Sequence, residues 1–558
     1  MNLPTLPWRG RALLLGLLSL SCAAGFVACG GGGSAATTGN MGGGGGGSTP
    51  PTEPANATDV VTYKYDLARS GANVTETVLT LANVNSASFG LQRVLATDGK
   101  VDAQPLYLAK VTVQGALHDV VYVATENDSV YAFDVNSGAV LWQTSVLPGG
   151  ESVSDLPPYG CDQVTPVIGI TATPVIDRNA GVNGTIYVVA MSKSSAGEYH
   201  QRLHALDVAN GEEIGAGPAD ISATYPVRGG TTTFDPAQYE ERAALLLSQG
   251  VIYTSWTSHC DVAPYSGWVI GFDQQTFVRT TVLNVAPNSG GAGPAIWMSG
   301  GGPAADADGS VYLLTANGAF ETTLDANGFP SQQDYGNSFL RLSTAGSALA
   351  VADYFTMFDV TNEVAQDQDL GSGGILLLPD ATDASDTVRQ LAVGAGKDGT
   401  LYVVERNSMG KFNPASNDNW QSLPGALGGG IWSTPAYFNG TLYYGPVNST
   451  LRSFKMAQAL FPATPTSESA QSFVYPGTAP SVSANGTSNG IVWAHENTNP
   501  AVLHAYDAGD LTHELYNSNQ ASTRDQLGDG NKFITPMVAD GKVFVGMTNG
   551  VAVFGLLN

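Results

Sequence analysis

Few residues in this chain have both the type and the spacing that reactive chemistry needs. Glu198, His200, Arg202 and His204 alternate. A period of two would set all four on one face of a strand. There a carboxylate and two imidazoles could hold a transition metal, or they could simply form the polar outer face of a sheet. Cys161 and Cys260 are the two cysteines left once the N-terminal pair, Cys22 and Cys29, is set aside. In an oxidising compartment two such residues usually pair into a disulfide. Carboxylates cluster in Gln366-Asp367-Gln368-Asp369, and a lysine stands in Gly396-Lys397-Asp398-Gly399. No C-x-x-C-H sequence occurs, so no c-type haem is expected on this chain. No Ser-His-acid constellation, P-loop or zinc spacing stands out, and hydrolase and nucleotide readings rank far below the others.

The elements that must position these residues come from a repeat. Each copy has a short β-run carrying a proline, a turn with glycine, a strong β-run, and a further run ending in Asp before a second turn. One copy shows all of it. Thr173-Pro174-Val175-Ile176-Asp177 is followed by Asn183-Gly184, by Thr185-Ile186-Tyr187-Val188-Val189, and by Leu203-His204-Ala205-Leu206-Asp207 with Asn210-Gly211. The frame returns at Gln249-Gly250, Asp308-Gly309, Asp398-Gly399, Asn439-Gly440, Asn489-Gly490 and Asp540-Gly541, and the proline run at Gln104-Pro105, Thr434-Pro435 and Thr535-Pro536. Asn-Gly and Asp-Gly between β-runs favour two-residue hairpins. With a copy at Val120 to Tyr122 the count is about eight. Repeated β-meanders at even spacing close radially, so the expected fold is all-β, an eight-bladed β-propeller of four-stranded antiparallel blades. The last copy, at Phe544, is short, and its missing outer strand is expected from the N-terminal side, around Phe89 to Leu95. Two long spacings, before Thr173 and between Phe320 and Leu391, read as insertions in loops on one face, where function concentrates.

Three domains follow. Residues 1–29 read as a signal segment: Arg9 and Arg11, then an apolar run from Ala12 to Leu20 too short to span a membrane comfortably. Phe26-Val27-Ala28-Cys29-Gly30 resembles the lipobox of bacterial lipoproteins, with Cys29 as the acylated residue; a signal peptide cut near Ala23-Ala24 is the alternative. Residues 30–58, rich in Gly, Ser, Thr and Pro, form a flexible tether, and 59–558 the propeller. Net charge is −25 and the pI about 4.4. That acidity argues against nucleic acid as a partner and suits an exported protein, periplasmic or on the cell surface.

The stretch Ala132-Phe133-Asp134-Val135-Asn136-Ser137-Gly138-Ala139-Val140-Leu141-Trp142 resembles the tryptophan-docking repeat of the pyrroloquinoline quinone (PQQ) dehydrogenases, in which an Ala-x-Asp turn and glycine precede a Trp that packs between blades. Only this copy is complete; Gly215 stands where the Trp would be in the copy that begins at Ala205. The resemblance implies a quinoprotein alcohol dehydrogenase-like propeller and, residue by residue, a cofactor site. Trp297 would be the floor on which PQQ stacks. Asn317, in Thr315-Ala316-Asn317-Gly318, and Glu198, in Ala196-Gly197-Glu198-Tyr199, would bind calcium together with the cofactor. Asp369 would be the catalytic base, and Lys397 would polarise the quinone. The family's pair of adjacent cysteines is reduced to Cys161 alone, in Gly160-Cys161-Asp162, which would stand beside the cofactor and bridge instead to Cys260.

Two functions are then open. One is a PQQ- and calcium-dependent dehydrogenase of an alcohol or sugar, tethered by its lipid and passing electrons to a separate carrier. The other is a non-catalytic binding or scaffold propeller of the cell envelope that grips a protein or glycan, since similar folds also serve as scaffolds in outer-membrane protein assembly.

Overall fold

Each repeat builds one four-stranded antiparallel blade, and eight blades close a ring. The computed structural model describes residues 59–154, 163–345 and 348–557. Blades 1 to 7 span 106–145, 175–220, 246–284, 304–356, 376–423, 436–473 and 481–517; blade 8 joins 537–556 to an N-terminal strand. The short proline runs lead into the innermost strand of a blade, where proline's missing N–H falls at a strand start. The glycine turns then act as the sequence suggests. Asn439 and Gly440 have φ of 46° and 79°, and Asp540 and Gly541 have 52° and 67°, the left-handed pair that a two-residue hairpin requires. In the four blades whose third strand ends in Asp, that residue has a local task. Asp134, Asp207, Asp273 and Asp507 each accept a backbone N–H of the following turn, at 2.6–2.8 Å, an Asx-type brace on the turn to the outer strand.

Two repeats depart from the expected frame: Asn489-Gly490 lies inside the second strand of blade 7, Ser488–Glu496, the turn falling at 486–487, and blade 5 departs further. Asp398-Gly399 does not turn between the first two strands of blade 5; it joins the second, Leu391–Gly394, to the third, Leu401–Glu405. The innermost strand of that blade is only Leu376–Leu377, and residues 378–390 intervene as a small hairpin of Ala381–Thr382 and Val388–Arg389. The β-run after Asp398-Gly399 has the composition of a second strand but the place of a third.

Closure comes from the N-terminal side. Phe89–Ala96 pairs antiparallel with Gly550–Leu556 and completes blade 8, so the two ends of the propeller share one sheet and no blade edge is left unpaired at the join. Trp142 docks as its motif implies: its indole N–H donates to the Val208 carbonyl of blade 2 at 3.0 Å. Gly211 (φ +71°) must stay a glycine, because a Cβ there would meet the Trp142 ring at 2.5 Å. Second-strand tyrosines reach the same place on the next blade, both in blade 1, where the Tyr122 hydroxyl joins Trp142 on the Val208 carbonyl, and in blades without the tryptophan. The hydroxyls of Tyr187 and Tyr443 donate to the carbonyls of Gln274 and Ala508. Trp420, outside any recognisable motif, donates to the Ala459 carbonyl at 2.7 Å.

The hole of the ring is filled by the chain itself. Residues 60–73 thread it and bond to the inner edge of every blade. Val60 pairs with Tyr107, and the carbonyls of Val61, Leu67, Ala68, Ser70 and Gly71 accept the N–H groups of Ile176, Ala305, Leu377, Tyr437 and Val482. Arg69 reaches Leu245, and Asn73 reaches Val538. Lys64 is fully buried, its ammonium donates to the Pro480 carbonyl, and burial lowers its pKa from 10.5 to about 7. Between these two values the unfolded chain holds a proton that the folded chain gives up, so this group's destabilisation is greatest below pH 7 and fades toward pH 10.5. Lys64→Met is therefore expected to raise the urea midpoint at neutral pH, with the gain shrinking as pH rises; a gain independent of pH between 7 and 10 would contradict it.

Strand alternation fixes two faces. Connectors between the first and second strands, and between the third and outer strands, lie at one end of the ring. Those between the second and third strands, and from one blade to the next, lie at the other end. The long segment before Thr173 leads from blade 1 to blade 2 and so belongs to the second end. Of the other insertion, 315–337 and 357–375 share that end, whereas 378–390 lies at the opposite one.

Candidate functional site at one end of the ring

The second end carries a cavity with about 640 Å³ of empty space, part of it open to solvent. Its lining comes from successive blade entries and second-to-third connectors: Glu240 and Arg242 before blade 3, Asp261 within it, Trp297 and Ser299 before blade 4, Asp369 before blade 5, Lys397 within it, and Trp432, Tyr475 and Phe533 before blades 6, 7 and 8. The residues lie far apart in sequence and meet because each blade delivers its entry segment to the same axis.

Three of the residues singled out from sequence line this cavity: Trp297, Asp369 and Lys397. Trp297 precedes a tight turn in which Met298 and Ser299 have φ of 47° and 45°, a costly conformation for non-glycine residues. The Ser299 hydroxyl donates to the Ser372 carbonyl, whose own hydroxyl reaches the Ile431 carbonyl, tying the entries of blades 4, 5 and 6 into one floor. Lys397 forms ion pairs with Asp369 and, at 2.7 Å, with Asp367. Burial works against the ammonium, but the two carboxylates outweigh it and hold the Lys397 pKa above its ordinary value. Burial raises the Asp369 pKa, and the Lys397 charge opposes that rise without cancelling it. Asn317 holds this pair from the side: its backbone N–H donates to Asp369 and its amide to Asp367, both at 2.7 Å.

Glu198 is not brought to the cavity. It sits exposed on the hairpin between Thr185–Ser194 and Tyr199–Asp207 of blade 2. The residues that alternate with it are taken up separately: Arg202 pairs with Glu151 and Asp220, and His204 with Glu213. Cys260 is disulfide-bonded. Cys161, its expected partner, lies outside the described residues, as do Cys29 and the whole of 1–58.

The lining holds residues that sequence reasoning passed over. Asp261 accepts the Tyr265 hydroxyl at 3.2 Å and the indole N–H of Trp297, and burial raises its pKa. Trp432, Tyr475 and Phe533 form an aromatic arc, with ring centroids 5.7 and 6.5 Å apart. The Arg242 guanidinium lies over Phe533 at 5.2 Å and donates to the Thr171 carbonyl. A signal for two of these was present: Trp432 and Phe533 both stand two residues before a Thr-Pro that opens a blade, in Trp432-Ser433-Thr434-Pro435 and Phe533-Ile534-Thr535-Pro536.

Aromatic faces and three cations, Arg242, Lys397 and Lys532, around one cavity suit a planar anionic ligand, and a tricarboxylate quinone such as PQQ fits that description. A calcium ion fits less well. Among the described residues no group of three or more His, Cys, Asp or Glu could hold a metal, Glu198 is elsewhere, and the Asp369 carboxylate already receives Lys397 and the Asn317 N–H.

No protein-family model matches the chain, and no curated protein matches it either. Solved structures do. A quinohemoprotein alcohol dehydrogenase from Comamonas testosteroni superposes with a TM-score of 0.56 at 16% identity, covering 90% of this chain and 81% of the other. A quinohemoprotein alcohol dehydrogenase from Pseudomonas putida HK5 gives 0.57 at 12%, covering 90% and 80%. A europium-containing methanol dehydrogenase gives 0.56 at 14%, covering 90% and 99%. At such low identity the likeness concerns architecture alone, and the architecture is the eight-bladed propeller of the quinoprotein dehydrogenases.

Proposed function

We propose that the cavity binds a planar anionic quinone of the PQQ type and that the chain is an exported dehydrogenase of alcohols or sugars, passing electrons to a separate carrier. The lining carries this reading: in a chain with 23 Lys and Arg against 48 Asp and Glu, three cations stand beside three carboxylates, Glu240, Asp261 and Asp369, around one cavity floored and flanked by aromatic rings. In this reading Trp297 stacks on the ligand, while Arg242 and Lys532 meet its carboxylates. Lys397 hydrogen-bonds its quinone oxygens and holds Asp369 in place. Asp369, its pKa raised by burial, takes the substrate hydroxyl proton. When bound, the quinone supplies the two-electron acceptor. No step is assigned to calcium. Lipidation at Cys29 and the tether through residue 58 would hold the propeller at a membrane, in the periplasm or on the cell surface. No helix among the described residues is long and apolar enough to cross one.

The reading is tested by titrating the domain from Asp59 onward with PQQ and following tryptophan fluorescence. Saturable quenching at micromolar PQQ is expected, changed less than twofold by a calcium chelator, because the Lys397 ammonium already lies against Asp369. Chelator-induced release would restore the metal to the site. No quenching at high micromolar PQQ would remove the enzyme reading in favour of the binding propeller. One observation favours that alternative: Asp367, Asp369, Lys397 and Asn317 satisfy one another without any ligand. Its test is capture of envelope proteins and glycans by the same domain.

A further inference from the structure

The cavity wall on blade 3 continues into a buried polar seam. Tyr239–Glu240 pairs with the end of Val251–Ser258, Glu240 lying opposite Thr257. Opposed residues of an antiparallel pair point to one face, and every second residue joins them, so Glu240, Thr257 and Ser255 share a face and His259 continues the alternation. Tyr253, next in the same row, packs in the core common to blades 3 and 4, which places the row on the blade 4 side. All four polar side chains are at most 1% exposed. Both Glu240 oxygens, both His259 ring nitrogens and the two hydroxyls make no hydrogen bond to any other group; the one close approach is Glu240 Oε2 to His259 Nδ1 at 3.4 Å. Of the four, Glu240 lines the cavity.

Buried polar groups without protein partners are characteristic places for ordered water. Hydroxyls and a neutral imidazole can each donate and accept, so a row of them with water conducts protons. We propose that Glu240 and His259 are a proton-transfer pair, Glu240 exchanging protons with the cavity and His259 passing them along the hydrated seam between blades 3 and 4. The purpose rests on the dehydrogenase reading. Oxidation of an alcohol to its carbonyl compound breaks a C–H and an O–H bond, forms the second C–O bond, and releases two protons and two electrons. The two electrons would pass by way of the quinone to two equivalents of a separate one-electron carrier, and the two protons must leave the cavity. The hole of the ring is filled by 60–73, and Asp369 is tied to Lys397 and Asn317. In this proposal the seam is a second route for the protons beside the cavity's open mouth. The charged groups near Glu240 are His259; Glu241, which accepts the Ser255 N–H; Arg242, which donates to the Thr171 carbonyl; Asp261 on the His259 loop; and Lys532, Asp369 and Lys397 around the cavity.

The test needs no cofactor. With ring-15N histidine labels on the chain's seven histidines, the His259 N–H is expected to exchange with solvent rapidly despite its burial. Glu240→Gln should slow that exchange at least tenfold, and Thr257→Val should slow it similarly, while His495, buried to 3% exposure, stays unchanged in both. Slow exchange in the parent protein, or exchange indifferent to both substitutions, overturns the proposal as a structural pair would behave so. If Glu240→Gln does not fold, Thr257→Val decides. In the PQQ-loaded protein, Glu240→Gln should lower turnover and added formate restore it. A parent protein that neither binds PQQ nor turns over sinks the dehydrogenase reading, while the exchange measurement still decides the pair.

Discussion

Lys397→Met is expected to weaken PQQ binding ten- to a hundredfold, about 1.5–3 kcal/mol for lost charge-assisted hydrogen bonds, and to leave no measurable alcohol oxidation. Lys397 stands between Asp367 and Asp369 at the cavity wall, so it serves the ligand and the base together. Without the ammonium only the Asn317 N–H still opposes the burial that already raises the Asp369 pKa, and the carboxyl should stay protonated to higher pH. A carboxyl whose folded pKa is raised costs no stability in acid, where both states are protonated, and the cost grows as pH rises from the unfolded pKa to the raised folded one. The variant should therefore lose stability relative to the parent as pH rises out of the ordinary carboxylate range, and recover in acid. Fluorescence titration gives the affinity, and urea unfolding at several pH values gives the linkage. Lys411→Met, removing a cation that lies over Phe329 and outside the cavity lining, is the control and should leave binding unchanged. Equal affinity in Lys397→Met and the parent would dissociate Lys397 from the ligand.

Arg69→Ala should be the most damaging single substitution in the ring, lowering stability on the order of 3–5 kcal/mol. Arg69 is fully buried, and burial lowers its pKa to about 10. Its guanidinium makes four hydrogen bonds, to the carbonyls of Pro303, Tyr63 and Leu245 and to the Thr62 hydroxyl. It thus joins the plug to the entries of blades 3 and 4, and truncation leaves carbonyls unpaired in a place without bulk solvent. Arg69→Lys should rescue little, because one ammonium cannot reproduce the planar fork. Chemical unfolding measures the loss. A change below about 1 kcal/mol would mean that the ring stands without its plug, against the hydrogen bonds that 60–73 makes to the blades.

The sequence by itself determined the ring. Turn glycines, proline runs and third-strand Asp residues are local devices, each enforced by backbone geometry within a few residues, and their repetition leaves radial closure as the way to bury every blade's faces. The closing strand at Phe89–Ala96 was legible for the same reason: a β-run without a blade had to match a blade lacking an outer strand. The frame slips by a whole strand at Asp398-Gly399, because the inner strand of blade 5 is two residues long and its hairpin carries an insertion, and by a few residues at Asn489-Gly490, which lies inside Ser488–Glu496. The plug was invisible: Thr62-Tyr63-Lys64-Tyr65-Asp66-Leu67-Ala68-Arg69 has no period of two, and its hydrogen bonds go to the blades rather than to neighbours in sequence. The site divided along the same line. Trp297, Asp369 and Lys397 could be named from motifs, since each sits in a recognisable segment at a blade entry or connector. That Lys397 pairs with Asp369, that Glu198 faces solvent, and that Arg242, Asp261 and the aromatic arc complete the cavity were decided by the tertiary structure, because a lining assembled around an axis takes one or two residues from each of several blades and leaves no local pattern to read.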